Sequence, residues 1–66
     1  EIYSAVETAV KALPEKQKTA FILKHMQHLK IREIAGIMDI SEGTVKKYLF
    51  RAMEKLRIEL KDYRHA

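Results

Sequence analysis

The sequence predicts an all-α domain of four helices, the last two set as a helix-turn-helix. Three observations predict it. Apolar residues recur at helical spacing in four stretches along the whole chain. One proline and two glycines are the only strong breakers, so turns are few. Cysteine is absent, which rules out a disulfide framework, a thiolate nucleophile and a cysteine-based zinc site. A chain of 66 residues allows one domain, taken as 1–66. Such a chain buries only roughly 60% of the surface its unfolded form exposes. Its core must be packed aliphatic side chains, which leaves little room for a deep catalytic cleft.

Ile2, Val6, Ala9, Val10 and Leu13 follow one helical face and predict a first helix over about 2–12. Pro14 lacks an N–H and biases Leu13 toward extended geometry, so it ends that helix. It also suits the first position of the next one, where Glu15 meets the positive end of the helix dipole. The second helix, about 14–27, carries Ala20, Phe21, Ile22, Leu23, Met26 and the stem of Lys24 on its apolar side, and His28 ends it. Ile31, Ile34, Ala35 and Met38 predict a short third helix over about 31–38. Asp39, Ile40 and Ser41 form a tight turn. Ser41 is a good N-cap for a fourth helix over about 42–61. There Val45, Leu49, Ala52, Leu56 and Leu60 share a face, with Met53 at its edge. Tyr63 to Ala66 are expected to fray.

The stretch from Lys30 to Arg51 has the pattern of a helix-turn-helix. Ala35 is small where two helices cross, and Asp39 tolerates the left-handed backbone that the turn needs. Ile34, Met38, Ile40, Val45 and Leu49 form the small core that fixes the crossing. In such a unit the second helix enters the major groove of duplex DNA. With Val45 and Leu49 inward, Gly43, Lys47, Phe50, Arg51 and Glu54 face out, flanked by Lys46. Arg51 suits a guanine edge, and Lys46 or Lys47 suit guanine acceptors or phosphate. Phe50 either packs on a thymine methyl or covers the preceding helix. Thr44 and the backbone near Ser41 suit phosphate.

Charge points the same way. Thirteen basic and nine acidic residues give a net charge of +4. Lys16 to Arg32 holds five basic residues and no acid, and Thr44 to Arg51 holds Lys46, Lys47 and Arg51, again with no acid. Two basic segments separated by a turn can form one positive face for a polyanion. The expected DNA-binding set is Lys30, Arg32, Ser41, Thr44, Lys46, Lys47, Phe50 and Arg51.

Leu13-Pro14-Glu15-Lys16-Gln17, Ile34-Ala35, and the run Ile40-Ser41-Glu42-Gly43-Thr44-Val45-Lys46-Lys47-Tyr48-Leu49-Phe50-Arg51-Ala52 resemble the C-terminal region 4 domain of extracytoplasmic-function (ECF) sigma factors of the sigma-70 family. The resemblance covers nearly the whole chain. It implies a winged-helix-type fold without the wing and recognition of the promoter −35 element. It also implies docking on the RNA polymerase β flap, occlusion by an anti-sigma factor, and a cytoplasmic, bacterial setting on the nucleoid. On the family pattern Lys46, Lys47, Phe50 and Arg51 fall at DNA-contacting positions. The family often has glycine at the places of His28 and Asp39, serine or threonine at Lys30, and serine and arginine at Lys47 and Tyr48. The first residue is Glu1 rather than Met, so the chain is expected to be part of a longer sigma factor.

Two other readings share some of these residues. Response-regulator domains of the LuxR type have a Glu-Ile-Ala, Ile-Ser, Thr-Val-Lys skeleton, but usually place histidine where Tyr48 stands and lack the Leu-Phe-Arg-Ala continuation. A protein-interaction module could present Met26, Met38 and Met53 as a soft groove. Their spacing instead predicts that they fill the core. An enzyme is not expected. His25 and His28 are three apart with only Glu33 as a third ligand, and there is no glycine-rich phosphate loop or Ser/His/Asp arrangement. No cofactor, metal or small-molecule substrate is expected, and no apolar run is long enough to span a membrane.

Overall fold

The computed structural model describes residues 2–61, with side chains from Ser4 onward. It has four helices and, among the described residues, no strand. The expected fraying at Tyr63 to Ala66 lies outside the described residues, as does the Ile2 side chain.

Helix α1 spans Ile2–Lys11 and α2 spans Glu15–Phe21. Pro14 stands at the N-cap of α2, with φ −54° and ψ 148°, rather than inside it as its first residue. Its carbonyl still accepts the Lys18 N–H at 2.8 Å and so starts the helical ladder. Lys18 reaches back to the Lys11 carbonyl at 3.4 Å and lies 3.9 Å from the Glu15 carboxylate. These are weak, solvent-screened links between two consecutive helices.

Past Phe21 the coil widens into a π-helical stretch, Ile22–Met26. The Gln27 N–H bonds back to the Ile22 carbonyl at 3.1 Å, and the Leu29 N–H to the Leu23 carbonyl at 3.0 Å. A wider turn uses more residues per revolution, so side chains beyond Ile22 fall out of the α-helical phase. His28 then stops the coil with φ at 60°. Helix α3 spans Ile31–Met38 and α4 spans Glu42–Glu59, two residues short of the expected end.

Helix α4 is the spine, packing against α1, α2 and α3. Ala9, Val10 and Leu13 of α1 and the turn after it meet Ala52 and Leu56 of α4. Val6, Phe21, Ile22 and Leu60 close around them. A second packed point lies nearer the start of α4, where Ile34 and Val45 are both fully buried. Gln17 is the one buried polar side chain among the described residues, facing inward one turn before Ala20. Its Oε1 has no partner among the described residues. An orphaned buried amide oxygen subtracts from a thin stability margin.

The methionines correct the sequence reading. Met26 is 63% exposed and Met53 48%, while Met38 is half-buried. Met26 lies in the π-helical stretch, whose shifted phase turns it outward. Met53 lies beside the apolar stripe of α4, past the width that α1 and α2 cover.

Candidate nucleic-acid interface

The turn between α3 and α4 sets the site. Asp39 is left-handed, with φ 56° and ψ 50°, and its N–H points to the Ala35 carbonyl. The Ile40 N–H bonds to the same carbonyl at 3.0 Å. Such a closure satisfies the last carbonyls of a helix and reverses the chain sharply. Asp39 fills this role without glycine because a short polar side chain visits the left-handed region at lower cost than most.

Ser41 opens α4 in extended geometry, and its hydroxyl oxygen accepts the Thr44 N–H at 3.1 Å. The Thr44 hydroxyl lies 2.8 Å from the same oxygen. The first rung of the helix follows, from the Val45 N–H to the Ser41 carbonyl at 3.1 Å. The buried Val45 side chain locks the rotation of α4 about its axis. Met38, Ile40 and Leu49 are half-buried beside it.

With that rotation fixed, Gly43, Lys46, Lys47, Phe50, Arg51 and Glu54 are all exposed on the opposite side of α4. Phe50 is 63% exposed, so it does not cover the preceding helix. Thr44 and Tyr48 are half-buried on a flank. Glu54 pairs with Arg57 at 3.9 Å. Lys46, Lys47 and Arg51 form no ion pair among the described residues. The first three turns of α4 thus present three uncommitted cations and one bare aromatic ring, with Glu42 beside the cap as their only acid.

Lys30 and Arg32 stand exposed at the start of α3, not on α4. No hydrogen bond or ion pair joins them to the α4 group among the described residues. Lys30 occupies the N-cap of α3, and its own N–H donates to Glu33 Oε1 at 2.7 Å. The Lys30 ammonium has no acceptor atom, so only the Glu33 half of a capping box forms.

An apolar surface beside α4 includes Met26 and Met53, the residues that their spacing assigns to the core rather than to a groove. Met53 and Leu60 line a hollow with Val6 and Phe21, edged by Arg57. A neighbouring hollow shares Val6 and Phe21 and adds Val10, Ile22, His25 and Met26, with Glu7, Lys11 and Lys18 at its edge. The rings of Phe21 and His25 lie 4.7 Å apart. Helical spacing alone does not distinguish a methionine that fills a core from one that lines a groove. No group of three metal-ligating side chains occurs among the described residues. Among the described residues, no helix is long and apolar enough to cross a membrane.

The family described as Sigma-70, region 4 matches residues 3–56, a stretch that includes α3, the turn and α4 as far as Leu56. The chain belongs to the sigma-70 region 4 family. It is 36% identical over 62 residues to the ECF RNA polymerase sigma factor SigW of Bacillus subtilis, covering 94% of this chain and 33% of that protein. It is 42% identical over 52 residues to the RNA polymerase sigma factor SigV of the same organism, covering 79% of this chain and 31% of SigV. It is 39% identical over 56 residues to the ECF RNA polymerase sigma-E factor of Haemophilus influenzae, covering 85% and 30%. The chain therefore spans about a third of the length of the curated relatives it matches. The resemblance carried by Leu13-Pro14-Glu15 and by Gly43 to Ala52 holds, and with it the helical sigma-type fold. Among the described residues, His28 and Asp39, the positions at which the resemblance implies glycine, are the two non-glycine residues with positive φ.

Proposed function

We propose that this chain recognises the −35 element of bacterial promoters as the region 4 domain of an ECF sigma factor, and docks on the β flap of RNA polymerase during transcription initiation. One observation carries the DNA reading: Lys46, Lys47, Phe50 and Arg51 are exposed together on one face of a helix whose opposite face is pinned by the fully buried Val45. In this reading Arg51 reads a guanine edge and Phe50 packs on a thymine methyl. Lys46, Lys47, Thr44 and the Ser41 turn hold phosphate or base acceptors, while Lys30 and Arg32 meet the backbone from the start of α3. The partners are promoter duplex and polymerase, in the bacterial cytoplasm.

The hollows around Phe21, Met26 and Met53 support flap docking. They are largely apolar, edged by Glu7, Lys11, Lys18 and Arg57. One borders α4 at Met53, Leu56 and Leu60, the other lies between α1 and α2, and neither is lined by Lys47 or Arg51. One domain could then hold DNA and polymerase at once. An anti-sigma factor would compete for the same hollows.

Selection from a random duplex pool, with this chain tethered to the polymerase flap, tests the DNA reading. The expected result is one enriched motif, bound with an affinity that falls steeply with salt, by about one power of salt concentration per phosphate contact. No enrichment, or binding indifferent to salt, would overturn it. Met53→Glu tests the docking: it should remove flap binding and leave duplex binding and helicity intact. Unchanged flap binding would place that interface elsewhere.

A further inference from the structure

The chain has two glycines, and neither is where its backbone calls for one. The two positive-φ positions among the described residues are filled by His28 and Asp39, and neither glycine has positive φ. Gly36 lies inside α3 and Gly43 in the first turn of α4. A helical glycine is less stable than alanine, by up to about 1 kcal/mol in a helix interior. Close packing within the molecule would justify that loss, but it is absent at both. A Cβ built on Gly36 meets nothing within 4 Å, and one on Gly43 meets only the Ser41 hydroxyl oxygen at 3.9 Å, an ordinary contact. The backbone and the fold therefore give no reason for glycine at Gly43.

Gly43 shares its face of α4 with Lys47 and Phe50, four and seven residues on. It precedes the first rung of the helix, so its N–H has no carbonyl four residues back within the helix to bond. We infer that Gly43 is a clearance position: its missing side chain lets the DNA come into contact with the α4 backbone, and this close approach sets how deeply Lys47, Phe50 and Arg51 enter the groove. The inference rests on the DNA reading above and adds a residue whose contribution is the absence of a side chain. Its signature is that stability and affinity move in opposite directions.

The test is the thermal midpoint and the duplex affinity of the chain carrying Gly43→Ala, Gly43→Leu or Gly36→Ala, each measured on the selected duplex. Gly43→Ala should raise the midpoint by a few degrees. It should weaken DNA binding about tenfold, the loss of one good contact. Gly43→Leu should weaken it further. Gly36→Ala should raise the midpoint and leave affinity unchanged. Unchanged or tighter binding by Gly43→Ala would overturn the inference. An equal loss in Gly36→Ala would also overturn it, because the effect would then follow from stiffening any helix of the motif. If the unsubstituted chain does not bind duplex, the DNA reading itself fails. If it binds and Gly43→Ala binds equally well, only the clearance role fails.

Discussion

The hydroxyl oxygen of Ser41 accepts the backbone N–H of Thr44 at 3.1 Å and lies 2.8 Å from the Thr44 hydroxyl, so one serine closes the first turn of α4 twice over. The helix that carries Lys46, Lys47, Phe50 and Arg51 starts where this pair starts it. Ser41→Ala should destabilise the chain by about 1 kcal/mol, a typical N-cap loss. For a domain of this size that is a fall of about 4–8 °C in thermal midpoint. Calorimetry checks it, and an unchanged midpoint would show that the cap contributes nothing.

Val45 of α4 and Ile34 of α3 are both fully buried, and α3 packs against α4. Val45→Asp would place a carboxylate with no partner at that contact, at a cost of several kcal/mol. A core this small rarely supplies more than about 3–5 kcal/mol. The variant should therefore lose its cooperative melt. Circular dichroism against temperature is the measurement, and a helical, cooperatively melting Val45→Asp would mean the crossing is pinned elsewhere.

His28 and Asp39 hold φ of 60° and 56° without being glycine. Left-handed backbone costs a residue with a Cβ about 1–2 kcal/mol, less for a short polar one. His28→Gly should therefore stabilise the chain by about 0.5–1 kcal/mol, and Asp39→Gly by less. Urea titration gives both values. Destabilisation by His28→Gly would show that its side chain makes a contribution larger than its strain.

Arg51 and Lys46 leave α4 on different sides of its exposed face, and their substitutions should differ in kind. Arg51→Ala should weaken binding to the selected duplex by about 1–3 kcal/mol and relax preference at one base position. Lys46→Ala should weaken all duplexes alike and lower the salt slope by about one. Anisotropy titrations on matched and single-base-changed duplexes at two salt concentrations separate the two. A Lys46→Ala loss confined to one sequence would make it a base reader.

Much of the architecture was legible in the sequence because it is local. The apolar spacing of Val45, Leu49, Ala52 and Leu56 fixes which side of α4 turns inward, and the Ser41 cap and the Asp39 turn depend on neighbours within a few residues. The outward placing of Lys47, Phe50 and Arg51 follows from the same periodicity. Pro14 was misplaced by a single position, since its fixed φ fits a cap as well as a first helical residue.

The sequence by itself determined that four helices form, where the turn falls, and which family's motif α3 and α4 carry. Only the tertiary structure decided what covers what. It left Phe50 bare and put Met26 and Met53 on the surface. It buried Gln17 with an orphaned oxygen, and it left Gly43 with empty space where a side chain could stand. Periodicity states which way a residue points along its own helix. Whether another helix lies there depends on crossing angles, on the phase shift of the Ile22–Met26 stretch, and on how far α1 and α2 reach across α4. Those are properties of the packed molecule, with no counterpart in the spacing of residues along the chain.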